Sequence, residues 1–217
     1  MVIIANEHQS LSPITEKTIF APLSHTGVMI KKIIQSSIDL RKVVLADDTL
    51  LKTVQSVADA MIATFAADGK VLFCGNGGSA ADAQHLAAEL SGRYYYDRPP
   101  LYAEALHTNT SFVTAVANDY SFDEVYARMV KAAGRKNDVL VAISTSGNSP
   151  NIIKALRAAT EAGMVTVGLT GNDGGKMKTL CSLLLNVPSN DTPRIQEVHI
   201  MLGHIICQIV ESTLFPR

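Results

Sequence analysis

The 217 residues, 47% of them hydrophobic and 18% charged, suffice for one sizeable core with extensions rather than for two independent domains. A net charge of -1 and a pI near 6.6 leave no basic footprint for nucleic-acid phosphates, which excludes ordinary duplex binding. No apolar run approaches the ~20 residues of a membrane span, Met1–Ala5 lacks the basic flank and apolar core of a signal peptide, and Cys74, Cys181 and Cys207 are an odd set without metal-knuckle spacing, so the chain reads as cytoplasmic with buried thiols.

Residues 1–27 contain Pro13 and Pro22 and no apolar period, and read as an irregular arm able to wrap a neighbour. A single domain, 28–217, follows. From Val28 the apolar positions Met29, Ile30, Ile33, Ile34, Ile38, Val43 and Val44 recur at roughly 3.6 residues, which predicts an amphipathic helix interrupted at Asp47-Asp48. Leu51, Val54, Val57, Met61, Ile62 and Phe65 predict a second helix, closed by Gly69 as a C-terminal glycine.

The unit Val71–Arg93 then combines a short apolar run, Val71–Cys74, a glycine turn, Gly75-Asn76-Gly77-Gly78-Ser79, and a helix from Ala80 to Leu90. An apolar run without polar alternation suits a strand buried on both faces of a parallel sheet. Glycines allow close backbone approach, and the first amides of a helix attract anions, so a phosphate fits the turn. Ser79 with Asp82 also reads as a helix N-cap.

Downstream, predicted strands at 101–106, 139–144, 164–170 and 182–187 alternate with predicted helices at 111–117, 122–133, 151–162 and 176–180. Such alternation implies a three-layer αβα sandwich around a five-stranded parallel sheet. Ligands of such sheets bind beyond the carboxyl ends of the strands, which selects the glycine turn and the loop Ser144-Thr145-Ser146-Gly147-Asn148-Ser149-Pro150. The hydroxyls and amides of that loop are able to surround a dianion without a lysine. A last helix, capped at Thr192-Pro193 and running to about Leu214, carries Gln196, His199 and His204.

Each motif has an ordinary alternative. Gly75–Ala80 fits G-x-G-x-x-A, but His107-Thr108-Asn109 stands where a dinucleotide site needs an acid. His85 and Glu89, four apart on one helix face, suit a shared ligand or a plain surface pair. Asn118-Asp119 reads as a turn dipeptide between two helices, and His199 as a helix-face residue with a local partner. Gln196 and His204 are about 12 Å apart along one helix axis and about 80° apart in azimuth, so sharing a ligand requires that they reach toward each other or come from different subunits. Tyr94, Tyr95 and Tyr96 read as packing.

Taken together, Gly75-Asn76-Gly77-Gly78-Ser79, Gln84-His85, Glu89-Leu90, Asn118-Asp119, Ser144–Ser149 and Arg194-Ile195-Gln196-Glu197 resemble the sugar isomerase (SIS) family, in particular its sedoheptulose 7-phosphate isomerases. The resemblance spans about Ile33 to Phe215. It implies aldose–ketose isomerisation of sedoheptulose 7-phosphate to D-glycero-D-manno-heptose 7-phosphate, which supplies heptose for bacterial surface polysaccharide such as lipopolysaccharide core. Asn76, Gly77, Gly78, Glu89, Asn118, Asp119, Ser144, Thr145, Ser146, Ser149 and Gln196 are then the substrate-binding positions. His85, Glu89, Gln196 and His204 are the implied Zn²⁺ ligands, one ion per active site, with Glu89 and His204 the acid/base pair. The implied assembly is a homo-oligomer, a tetramer, to which the surplus apolar surface of the terminal helices also points. Two positions depart from the pattern: Asn109 and Pro193 stand where some relatives carry acids. The rival expectation is a non-catalytic adaptor of the same fold, of the replication-initiator-associating type, whose tail Thr213-Leu214-Phe215-Pro216 resembles, although such adaptors lack the counterparts of Glu89 and His204.

Overall fold

The structure is a computed structural model that describes the backbone from Leu23 and side chains from Val28 through Arg217; the expected arm lies largely outside the described residues. Two compact units are distinguished, one ending at Ser36 and one comprising Ser37–Arg217. Helix α1 (Leu23–Leu45) begins five residues earlier than its apolar period suggests, and of the described residues only its first part belongs to the first unit. Along α1, Val28, Met29, Ile30, Ile33, Ile34, Ile38 and Val43 are exposed, whereas Val44 is buried.

Ser37–Arg217 forms the layered domain. After α2 (Asp48–Ala66) come β1 (Val71–Gly75), α3 (Gly78–Ser91), β2 (Ala103–Ala105), α4 (Thr110–Asp119), α5 (Val125–Ala133), β3 (Val139–Ile143), α6 (Pro150–Glu161), β4 (Val165–Gly171), β5 (Leu183–Val187) and α7 (Thr192–Leu214). The five strands are parallel in the order β2-β1-β3-β4-β5. Helices α2, α3 and α7 with Val44 cover one face of the sheet, and α5 and α6 with Val116 of α4 cover the other. The central strands β1 and β3 are buried at every residue, as their unbroken apolar runs require. Edge strand β2 is only three residues long, shorter than expected, which limits the unpaired backbone it leaves open.

Several element ends differ from expectation because neighbouring residues compete for the same cap. Asp47 caps α2 by accepting the amide of Leu50 at 2.9 Å. At the other end Asp68, not Gly69, takes the left-handed conformation (φ 58°), which a short polar side chain tolerates. Ser79 is no cap: Gly77 holds that position with φ 56°, and Ser79 is buried in the first turn of α3. Asp191 rather than Thr192 occupies the cap of α7, so Pro193 falls one position further into the first turn. The helix expected over 122–133 starts as a 3₁₀ turn, Phe122–Glu124, before α5, and the one expected over 176–180 is a 3₁₀ segment, Gly175–Thr179. Asn118 and Asp119 are the last two residues of α4 and not a turn between helices.

In this strand order the chain leaves β1 toward β2 on one side and returns to β3 on the other. The registry Gly75↔Ile143 makes the two strands end level, so the loops beginning at Asn76 and Ser144 emerge side by side at the topological switch point.

Candidate active site

The loop after β3 is built around hydroxyls. Ser144 Oγ lies 3.2 Å from Ser149 Oγ and 3.5 Å from Ser146 Oγ, and Ser146 Oγ accepts the amide of Asn148 at 3.2 Å. Ser149 is the N-cap of α6, yet its side chain makes no capping bond and remains available to a ligand at the helix N-terminus. Gly147 shapes the turn: its φ is 62°, and a Cβ there would stand 2.2 Å from the carbonyl oxygen of Gly174. Thr145 contributes backbone, its carbonyl accepting the Gly171 amide at 2.9 Å.

Across the switch point the β1 loop is fixed by side chains that its own sequence does not announce. Asn76 and buried Asn151 exchange two amide hydrogen bonds, Asn76 Nδ2 to Asn151 Oδ1 at 2.9 Å and Asn151 Nδ2 to Asn76 Oδ1 at 2.8 Å. The Tyr126 hydroxyl donates to the carbonyl of Gly75 from beneath. Within α3, the amides of Ser79 and Ala80 are taken by the carbonyls of Asn76 and Gly77, whereas the β3 loop gathers three serine hydroxyls.

A second constellation lies on the seam between α3 and α7. His85 Nε2 is 3.0 Å from Glu89 Oε1 and 3.4 Å from His204 Nε2, and ligand atoms of the three residues all lie within 4.8 Å of one another. The two imidazoles meet edge to face with centroids 5.0 Å apart, and the Tyr94 ring stands 5.9 Å from that of His204. In a tetrahedral site with bonds of ~2.0–2.1 Å the ligand atoms stand roughly 3.3 Å apart, and the His85–Glu89 and His85–His204 separations of 3.0 and 3.4 Å are near that value. Asp82, one turn before His85, adds a buried carboxylate oxygen without a hydrogen-bond partner; burial pushes its pKa up, against the opposing pull of His85 and His204.

Gln196 lies elsewhere on the same seam. Its Nε2 comes within 2.7 Å of where a Cβ on Gly78 would stand, beside the glycine turn, and Leu86 packs on Gly203 further along. Gln196 therefore borders the β1 loop and His204 meets His85. Asn118 and Asp119 are exposed and bond to each other at 2.9 Å, with no hydrogen bond to either loop among the described residues. His199 does not face outward with a local partner: it is fully buried, and its Nε2 donates to the Thr170 carbonyl at 3.0 Å. Burial pushes its pKa down to about 4, partly countered by that bond. Asn109, at one of the two departures, caps α4 by accepting the Phe112 amide at 3.0 Å, a task that asparagine and aspartate both perform. Cys74 and Cys207 are buried free thiols and Cys181 is partly buried.

This architecture recurs in known proteins. The SIS domain matches residues 37–171. A phosphoheptose isomerase of Burkholderia pseudomallei is 58% identical over 173 residues, 80% of this chain and 88% of that protein, and one of Aneurinibacillus thermoaerophilus is 51% identical over 86% of this chain and 94% of its own length. The chain belongs to the phosphoheptose isomerase family of SIS-domain proteins. Among solved structures, the phosphoheptose isomerase of Neisseria gonorrhoeae superposes with a TM-score of 0.81 at 45% identity, covering 86% of this chain and 99% of that one. That of Francisella tularensis gives 0.82 at 36% identity, covering 86% and 98%. The fold expected from the sequence, a five-stranded parallel sheet between helical layers, is thus the fold of this family. The residues of the site that its sequence did not mark are Asn151, Arg98 and Glu211. Each acts through a partner more than 70 positions away, so no local spacing could have marked them.

Proposed function

We propose that this isomerase interconverts sedoheptulose 7-phosphate and D-glycero-D-manno-heptose 7-phosphate in the cytoplasm, supplying heptose for surface polysaccharide. The observation that carries the reading is the convergence of Glu89 from α3 with His204 from α7 on one polar cluster, on the helix seam that begins at the switch-point loops. Binding starts at the β3 loop, where Ser144, Ser146 and Ser149 supply hydroxyls to the phosphate at the N-terminus of α6, and Asn76, Gly77 and Gly78 line the adjoining turn. Thr145, Asn118, Asp119 and Gln196 complete the proposed substrate set.

Aldose–ketose exchange requires one group to take a carbon-bound proton beside the carbonyl and another to manage protons on the oxygens of the enediol. Glu89 is the base and His204 the acid, and each such role contributes typically ~10²–10⁴-fold. His85, Glu89 and His204 would hold a Zn²⁺, with Gln196 reaching them only by turning its side chain from Gly78. When bound, that ion polarises the carbonyl and enediol oxygens. His85, at 3.0 Å from Glu89, meanwhile fixes the carboxylate against the helix seam.

The apolar, exposed residues of α1 support a homo-oligomer, a tetramer, in which other copies cover them. Among the described residues no helix is long and apolar enough to cross a membrane. The adaptor alternative finds no support: the tail residue Phe215 is engaged, its carbonyl accepting the Tyr96 hydroxyl at 2.7 Å. Purified protein assayed with sedoheptulose 7-phosphate, before and after chelation, tests the proposal. Turnover that falls on chelation and returns with zinc is the expected result; sugar-phosphate binding without turnover in the presence of zinc overturns it.

A further inference from the structure

Below the His85–Glu89–His204 cluster the seam ends in a buried ion pair that the reaction itself does not use. Arg98, in the segment after α3, donates from Nε to Glu211 Oε1 at 3.1 Å, and both side chains are almost wholly buried. Its remaining nitrogens all go to carbonyls: Nη2 to Glu89 at 2.8 Å, and Nη1 to Leu90 at 2.7 Å, Pro99 at 3.0 Å and Gly92 at 3.2 Å. These include carbonyls of the last turn of α3, which have no partner within the helix. Glu211 is equally committed, accepting the amides of Tyr94 and Tyr95 at 2.9 and 2.8 Å. Burial pushes its carboxyl up, but these amides and the guanidinium outweigh that and hold it below the usual range.

Two features set this pair apart from a generic buried salt bridge. Arg98 grips the backbone oxygen of Glu89 itself, and Glu211 stands seven residues after His204, two helical turns along the same side of α7. The pair therefore joins the C-terminal end of the helix bearing the proposed base to the helix bearing the proposed acid. We infer that Arg98, with Glu211, is a positioning residue that sets the axial register of α3 against α7 and so the spacing of Glu89 and His204. This rests on the roles given to those two residues above. Lysine cannot replace Arg98, because a single ammonium lacks the planar fork that serves five acceptors at once.

The test compares wild type with Arg98→Lys, with Arg98→Met, with the double substitution Arg98→Met/Glu211→Gln, and with Val130→Ala, which opens the core on the opposite face of the sheet. Zinc affinity is measured on metal-free protein by competition with a chromophoric chelator, and kcat and KM with sedoheptulose 7-phosphate. Arg98→Lys is expected to weaken zinc binding ~10-fold or more, as loss of a group that orients metal ligands does. It should also lower kcat by up to ~10²-fold, as a displacement of about 1 Å does, with KM little changed because the serine loop is untouched. The double variant, which leaves no unpaired buried charge, should regain stability lost in the single Arg98→Met without regaining kcat. Val130→Ala should lower the melting temperature while leaving zinc affinity and kcat in place. Wild-type zinc affinity and kcat in Arg98→Lys, recovery of kcat in the double variant, or equal losses in Val130→Ala would each overturn the inference. Because zinc affinity reads the register whether or not the wild type turns over the sugar phosphate, failure of the isomerase proposal and failure of this one are distinguishable.

Discussion

The β3 loop and the α3/α7 seam both present polar groups to a ligand, but they are held in opposite ways. In the loop, the neutral hydroxyls of Ser146 and Ser149 lie within 3.5 Å of Ser144 on a turn held by its own backbone bonds and by backbone bonds to the segment 169–177, and one amide pair, Asn76–Asn151, links it to the β1 loop. On the seam, residues 119 positions apart are brought to 3.4 Å by helix packing, with a buried ion pair at the end. A loop that offers several like donors on a backbone scaffold loses affinity by steps as single donors are removed. A cluster assembled across two helices stands or falls with the placement of each member.

The largest effect expected from that difference is on the seam. Glu89→Gln keeps the size of the side chain and removes the base, so kcat should fall at least ~10²-fold. KM for sedoheptulose 7-phosphate should change little, since the serine loop is intact. Steady-state kinetics with both variant and wild type checks it, and wild-type kcat in the variant would reduce Glu89 to one half of a surface pair with His85.

Acid should also act on α7, on the side that packs against β4. His199 is buried as the neutral imidazole with its pKa pushed down to about 4, whereas the unfolded chain protonates it near 6.5. Between those values the unfolded state binds the additional proton, so this stability is complete above pH 6.5 and is lost as pH falls toward 4, by ~3 kcal/mol in all. Urea denaturation from pH 7 to 4 should show that loss in the wild type and a shallower one in His199→Gln, whose carboxamide donates without titrating. Parallel pH profiles for the two proteins would contradict the buried neutral state.

On the loop side the effects should be graded. Asn151→Ala leaves the Asn76 amide unpaired across the switch point, a loss of ~1–3 kcal/mol, and should raise KM with kcat largely kept. Ser146→Ala removes one exposed donor among several and should raise KM roughly tenfold if its hydroxyl meets the phosphate dianion. A collapse of kcat in either variant would erase the contrast between loop and seam.

What the sequence revealed follows the same division. Unbroken apolar runs ending at glycine or serine marked β1 and β3, and the loops that follow them are the pair the strand order places at the switch point. His85 and Glu89 were legible because helix geometry joins positions four apart. His204 was tied to them only by family resemblance, since cross-helix contact has no spacing rule. Two kinds of departure recur among the rest. Adjacent residues with the same capping chemistry, Asp191 and Thr192 or Asp68 and Gly69, are separated only by tertiary packing. Long-range partners, Asn76 with Asn151, Arg98 with Glu211 and His199 with Thr170, leave no local pattern at all.

The smallest effect sharpens the boundary between ligand loop and scaffold. Asn109 stands at the start of α4, after β2, at the same carboxyl end of the strands as the two switch-point loops, and its Oδ1 accepts the Phe112 amide at 3.0 Å. An aspartate there keeps the capping bond and adds a negative charge at the positive end of a ten-residue helix, worth ~0.3–1 kcal/mol at low salt. Asn109→Asp should therefore raise the melting temperature slightly, an increment that shrinks as salt is added, while KM for sedoheptulose 7-phosphate stays at the wild-type value. If instead KM drops with no gain in stability, the side chain is turned toward sugar hydroxyls and α4 contributes a third ligand loop beside the two at the switch point. The two outcomes separate cleanly because a capping bond acts on the folded state alone, whereas a hydroxyl contact is felt only when the sugar is bound.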